Sequence, residues 1–191
     1  MLKMIWAQDS CGGIGLNGKM AWYLPEDFRH FKNMTTDKTV IMGRKTWEGL
    51  PKNARPLSNR NNVVLSSVSD EQFLKRFPGA KRLNFDQIVA LSEHEDVFII
   101  GGASVYEQFM CAANELIVTE LSANYEVDAY APRIPAKFEL VHEGDWKDSN
   151  QEKDGEVVRW RVLIYNKFVQ VRKFSGVCEA NTDLFMRRCV G

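Results

Sequence analysis

One acid stands where a helix should bury it. Along Met20-Ala21-Trp22-Tyr23-Leu24-Pro25-Glu26-Asp27-Phe28-Arg29-His30-Phe31-Lys32, Pro25 suits a first helical position, since its fixed φ and missing N–H are harmless there. Counted from that start, Leu24, Phe28 and Phe31 fall at the i, i+4, i+7 spacing of an apolar face. Asp27 belongs to the same face, while Glu26, Arg29 and His30 point elsewhere. An ionised carboxylate turned inward is costly unless a cation or a hydrogen-bond donor meets it. Asp27 is therefore either a structural partner or a site acid with a raised pKa.

Three further stretches carry groups suited to anions. Gly43-Arg44-Lys45-Thr46-Trp47 places a glycine, two cations and a hydroxyl where a short helix should follow the strand 39–42. Lys38 occupies the place of a P-loop's first glycine, so this is not that motif, and taken alone the stretch reads first as a solvated basic cap. The strand 62–67 ends in Ser66-Ser67. The strand 97–100 ends in Gly101-Gly102-Ala103-Ser104, where paired glycines let backbone N–H groups approach a ligand. Such strand ends fit phosphates or a pterin-sized ring, and in open α/β sheets ligands gather at the carboxyl ends of strands. The glycine-rich run from Gln8 to Lys19 lacks the G-x-G-x-x-G spacing and reads as a mobile loop, either a lid or a surface loop without a role.

The elements that must hold these groups form an α/β pattern. Strands are predicted at 2–7, 39–42, 62–67, 81–84, 97–100, 115–121, 138–143 and 157–166. Helices are predicted from Pro25, after Gly43, over 85–92 and over 105–110, giving eight strands and four helices. The polar segment 145–156 reads as a hairpin turn centred on Asp154-Gly155. The 191 residues suit one domain with a full core. Lys plus Arg balances Asp plus Glu at 25 each, which argues against a nucleic-acid partner. No apolar run approaches the ~18 residues of a membrane span. Lys3 and Asp9 interrupt any export signal, so cytoplasm is the expected compartment. Cys11, Cys111, Cys178 and Cys189 show no C-x-x-C spacing, and reduced thiols without a metal are expected.

With those residues placed, the chain resembles the dihydrofolate reductase family from Met1 to about Lys167. The resemblance rests on Ile14-Gly15, Met20-Ala21-Trp22, Leu24-Pro25-x-Asp27, Phe31-Lys32, Met42-Gly43-Arg44-Lys45-Thr46-Trp47, Arg55-Pro56-Leu57, Arg60, Leu65-Ser66-Ser67 and Ile100-Gly101-Gly102-x-x-Val105-Tyr106, in that order. It implies an eight-stranded mixed sheet flanked by four helices in three layers, with dihydrofolate and NADPH meeting in one cleft. By that resemblance Asp27 bonds the pterin 2-amino group and N3, Thr119 supports the carboxylate, and the carbonyls of Ile5 and Ile100 meet the pterin amino group. Phe28, Phe31 and Leu57 pack the pterin and aminobenzoyl rings, while Arg60 and Lys32 hold the glutamate tail. Ala7 and Ile14 flank the nicotinamide. Arg44, Lys45, Ser66 and Ser67 lie around the adenosine 2′-phosphate. Thr46 and the turn Gly101, Gly102, Ala103, Ser104 contact the pyrophosphate, and Gly43, Val105 and Tyr106 also belong to the cofactor side. Trp22 positions a water, Met20 closes over the nicotinamide, and Asp27, Trp22, Met20, Thr119 and Tyr106 form the catalytic set. Antifolates are the expected inhibitors and a monomer the expected state.

Departures from the family pattern sit in the lid. Ala21 replaces a usual proline, Gly12-Gly13 loosens the loop, and Val127 stands where some relatives carry glycine, while Asp128 is retained as the lid's partner. Ser104 stands where a cation often assists the 2′-phosphate. The segment 168–191 lies outside the resemblance as an extension, in which Val169 and Val171 could lengthen the last strand and Asn181-Thr182-Asp183 could cap a short helix. Two rivals use the same fold: the pyrimidine reductase of riboflavin synthesis, which needs neither Asp27 nor Arg60, and a reductase-like binding or assembly protein.

Overall fold

The computed structural model describes residues 1–168. Successive side chains of a strand face opposite sides, and here both sides are buried. Along β1 (Leu2–Gln8), Leu2, Met4 and Trp6 enter one core and Ile5 enters another. In β3 (Thr39–Gly43), Ile41 joins the first core while Val40 and Met42 join the second. β5 (Val97–Ile99) splits in the same way, with Phe98 alone in the second. That double burial explains why these strands read as unbroken apolar runs. Helices α4 (Phe85–His94) and α5 (Ala103–Phe109) cover the first core through Ile88, Val105 and Phe109. Helices α1 (Pro25–Thr35), α2 (Arg44–Gly49) and α3 (Asp70–Arg76) cover the second through Phe31, Trp47 and Phe73.

The remaining strands of the main sheet are β4 (Asn61–Leu65), β6 (Glu115–Leu121), β8 (Phe138–Glu143), β9 (Lys147–Lys153) and β10 (Glu156–Lys167). The eight-stranded sheet runs β4-β3-β5-β1-β6-β10-β8, with β9 added beside β10. Pairing is parallel from β4 to β6 and antiparallel around β10, as predicted for a mixed sheet. A second sheet joins β2 (Gly13–Gly15) to β7 (Ala129–Tyr130).

Several local expectations need correction. The predicted strand 81–84 is a single bridge from Lys81 to Val63, and the eighth place in the sheet goes to β9. β9 carries no apolar residue. It forms because β10 offers a partner across Asp154 and Gly155, both at positive φ as a two-residue hairpin turn requires. A fifth helix, α3, goes beyond the four expected: it buries only Phe73, with the following Phe77, while its Leu74 is exposed. Its start is capped by Ser69, whose hydroxyl accepts from Gln72 N, with acids in the first turn and bases in the last. The glycine-rich run is a small sheet instead of a free loop. The positions read as a longer last strand and a capped helix lie outside the described residues.

Candidate active site

The carboxyl ends of β1, β3, β4 and β5 open into one cleft of about 1880 Å³. Asp27 lines it from α1, which begins at Pro25 with Leu24 as its uncapped N-terminal residue. The acid is 7% exposed. Burial raises its pKa above the usual 3.8, and the neighbouring Thr119 hydroxyl pulls it back part of the way. That hydroxyl, on β6, is buried without a partner of full hydrogen-bond geometry, so its hold on the carboxylate is loose. The Trp22 indole Nε1 is also buried and unpartnered. A buried donor of this kind is ordinarily met by water.

Tyr106 closes the back of this pocket. Its hydroxyl donates to the Ile5 carbonyl at 2.8 Å. Burial, with the Asp27 charge adding to it, pushes the phenol far above its ordinary range, so Tyr106 stays a neutral donor. Phe31 and Leu57 wall the pocket, and Phe28 faces its mouth, its ring tilted against Tyr23 at 5.5 Å. The expectation that Glu26, Arg29 and His30 turn away from the interior holds for Arg29 only. Glu26 and His30 are half-buried, with one unpartnered buried atom each. Burial, then Lys147 of β9, lowers the His30 pKa.

Farther out, Arg60 is fixed before any ligand arrives. Its Nε and Nη2 each donate to Thr35 Oγ1 at 3.2 Å, and its Nη1 donates to the Ser58 carbonyl at 2.7 Å. An anchored guanidinium loses less freedom on meeting a carboxylate. Lys32 is exposed on the same rim.

The other half of the cleft is a glycine cradle. Gly101 and Gly102 are joined by a cis peptide, as the resemblance implies, and Arg55–Pro56 is also cis. Gly101 takes φ +106, and a Cβ there would meet the Tyr106 hydroxyl at 2.9 Å. Its carbonyl accepts from Gly43 N at 2.8 Å, drawing the starts of α2 and α5 together. Neither start has a side-chain cap, so their first-turn N–H groups are left for a ligand. Thr46, Ser66 and Ser67 add hydroxyls to this wall. Arg44 pairs with Glu48 at 2.7 Å, while Lys45 and Ser104 are exposed.

The glycine-rich run covers the cleft as a pinned flap. Gly13 and Gly15 pair with Tyr130 and Ala129, and Asn17 N donates to Asp128 Oδ2 at 2.9 Å. Asp9 holds the base of the flap. Fully buried, it accepts from Cys11 N at 2.9 Å, Gly13 N at 2.7 Å and Tyr125 N at 3.0 Å. The valine at 127 fits because Gly13 lacks a Cβ, which would meet its methyls at 2.7 and 2.8 Å. The two departures from the family pattern thus answer each other.

Every residue predicted for the site lines the cleft except Gly101 and Thr119, which stand just behind its wall. Sequence reasoning missed Tyr23, Arg82 and the structural Asp9. Tyr23 has no periodic signal, and Arg82 follows the unexpected helix. Asp9 could have been found as an acid opening a glycine turn.

A buried acid in an aromatic pocket, continuous with an amide-and-hydroxyl cradle, makes a cleft fitted to a flat heterocycle beside a phosphate-bearing ligand. A family model described as dihydrofolate reductase matches residues 1–163. The dihydrofolate reductase of Mycobacterium tuberculosis is 34% identical over 169 residues, covering 87% of this chain and 98% of that protein. That of Neisseria gonorrhoeae is 41% identical over 130 residues, covering 67% and 75%. The solved dihydrofolate reductase of Enterococcus faecalis, complexed with NADP(H) and RAB-propyl, superposes with a TM-score of 0.74 at 30% identity, covering 87% of this chain and 96% of that one. The chain belongs to the dihydrofolate reductase family, NADPH-dependent oxidoreductases. Among the described residues no helix is long and apolar enough to cross a membrane.

Proposed function

We propose that this chain reduces 7,8-dihydrofolate to 5,6,7,8-tetrahydrofolate with NADPH, and that the cleft residues divide the work as follows. The observation that carries the reading is Asp27: a carboxylate buried on the cleft wall, with the Thr119 hydroxyl beside it, is matched by a pterin's adjacent amino and N3–H donors. Asp27 binds those donors and polarises the ring, which raises the basicity of N5, and water held by Trp22 Nε1 carries the proton. Thr119 steadies the carboxylate, and Tyr106 orders the Ile5 carbonyl. Phe28, Phe31 and Leu57 pack the rings; Arg60, assisted by Lys32, takes the α-carboxylate of the tail. When bound, NADPH supplies the hydride that reaches C6.

The cradle residues fit that cofactor. Gly43, Thr46, Gly101 to Val105 and the uncapped helix starts take its pyrophosphate, while Arg44, Lys45, Ser66 and Ser67 take its 2′-phosphate. Ala7 and Ile14 flank the nicotinamide, and Met20 with its flap excludes water. The catalytic domain is 1–167, with 168–191 an extension, and the protein acts as a cytoplasmic monomer that binds antifolates in the pterin pocket. The test is NADPH oxidation on adding dihydrofolate, run beside Asp27→Asn. Turnover lost sharply in the variant near neutral pH supports the reading. Binding of both ligands without turnover favours a binding protein, and NADPH binding without folate binding favours the pyrimidine reductase.

A further inference from the structure

Arg82 lies between α3 and α4 and lines the cleft beside Ser66 and Ser67. Its guanidinium sits over the Phe73 ring at 4.5 Å, so α3 supplies a platform for it. Nη2 donates to the carbonyls of Val68 and Ser69, which tethers the group to the turn that follows the two serines. Nε is buried and without a partner. The group's ion pair is with Asp70, at 2.7 Å. That pair is lopsided: the Asp70 side chain is 93% exposed and the Arg82 side chain 32%. An anchored, half-sheltered guanidinium held by a solvated carboxylate is a site an incoming anion can enter, because exposed pairs contribute little. A phosphate dianion brings more charge and more acceptors than the aspartate it displaces.

Resting on the reading of Arg44, Lys45, Ser66 and Ser67 as the 2′-phosphate subsite, we propose that Arg82 completes that subsite and sets the preference for NADPH over NADH, in competition with Asp70. Ser104 contributes no charge there, and Arg44 shares Glu48 with Arg76, at 2.7 and 3.1 Å. Arg82 is then the cation whose partner is most easily displaced.

The test compares kcat/KM with NADPH and with NADH, at fixed dihydrofolate, and the Kd of each cofactor by fluorescence titration without dihydrofolate, in the full chain and its variants. Arg82→Ala lowers the NADPH-to-NADH ratio roughly tenfold or more, the worth of one charge-assisted hydrogen bond. Arg82→Lys restores part of it. Asp70→Asn acts on the exposed partner and raises the ratio, by tightening NADPH and not NADH. A clip that merely holds the turn 68–70 would give the opposite pattern: Arg82→Ala would weaken both cofactors alike and Asp70→Asn would help neither. Either result overturns the proposal. Arg44→Ala separates the two levels of the argument. If it lowers the ratio while the Arg82 and Asp70 variants leave it unchanged, only the role of Arg82 falls. If no variant moves the ratio, the subsite reading falls with it.

Discussion

Replacing Asp27 by asparagine should make the protein more stable and nearly inactive. Burial raises the Asp27 pKa in the folded chain. Its contribution to stability is therefore complete below the unfolded value of 3.8 and is lost as pH rises through the raised folded value. Above that folded value the native state carries an ionised group that is 7% exposed and held by the Thr119 hydroxyl. Holding a charge at so sheltered a site costs about 1–3 kcal/mol more than holding a neutral amide there. The amide of the variant carries no charge to desolvate, so Asp27→Asn recovers that amount at pH 7. For a chain of this size each kcal/mol moves Tm by about 2–4 °C, which gives a rise of roughly 2–12 °C. The gap should close as pH falls toward the ordinary carboxylate range. Turnover should move the other way and fall by roughly 10²- to 10³-fold near neutral pH, the worth of one fixed electrostatic group at the reacting ring. Thermal melts of both proteins between pH 4 and pH 8, beside turnover with dihydrofolate, check both halves. A variant no more stable than wild type at pH 7, or equally stable at every pH, would refute the claim that the carboxylate is held at a cost to the fold.

Thr119→Val removes the hydroxyl that lowers the Asp27 pKa, so the limb of the pH–rate profile governed by Asp27 should move to higher pH; an unmoved limb would show the hydroxyl to be idle. Arg60→Ala should raise KM for dihydrofolate by roughly 10- to 100-fold and leave KM for NADPH unchanged in steady-state kinetics. Gly13→Ala puts a Cβ within 2.7–2.9 Å of Val127 and the Asp9 carboxylate, so urea denaturation should show a loss of about 1–3 kcal/mol. Adding Val127→Ala should return part of that loss, and strict additivity of the pair would show that the two do not touch. Ala21→Pro should slow amide exchange across residues 12–22 by restricting the chain's freedom, and equal exchange before and after would count against a loosened flap.

Local chemistry made much of the site legible. Pro25 and the spacing of Leu24, Phe28 and Phe31 placed Asp27 on a buried face, because helix period and proline geometry act over a few residues. The runs at β1, β3 and β5 marked doubly buried strands for the same reason, and the glycine pair after β5 marked a backbone free to approach a ligand. What stayed hidden depends on partners distant in sequence. β9 has no apolar residue and exists because β10 pairs with it, and α3 is too short for a periodic signal. Glu26 and His30 look like surface residues in the sequence but are half-buried in the fold, His30 near Lys147 of β9. The flap read as loose from Gly12, Gly13 and Ala21. Its pinning by Asp128, by Val127 and by the Tyr125 N–H on Asp9 needed contacts from more than a hundred residues away, between groups whose fit no local rule encodes. Propensity and periodicity are local, so the order of residues was enough to mark which groups could do chemistry and which strand ends would carry them. How deeply Asp27 is buried, where Arg82 rests and what holds the flap were settled only in the folded chain, because desolvation and packing belong to the assembled interior.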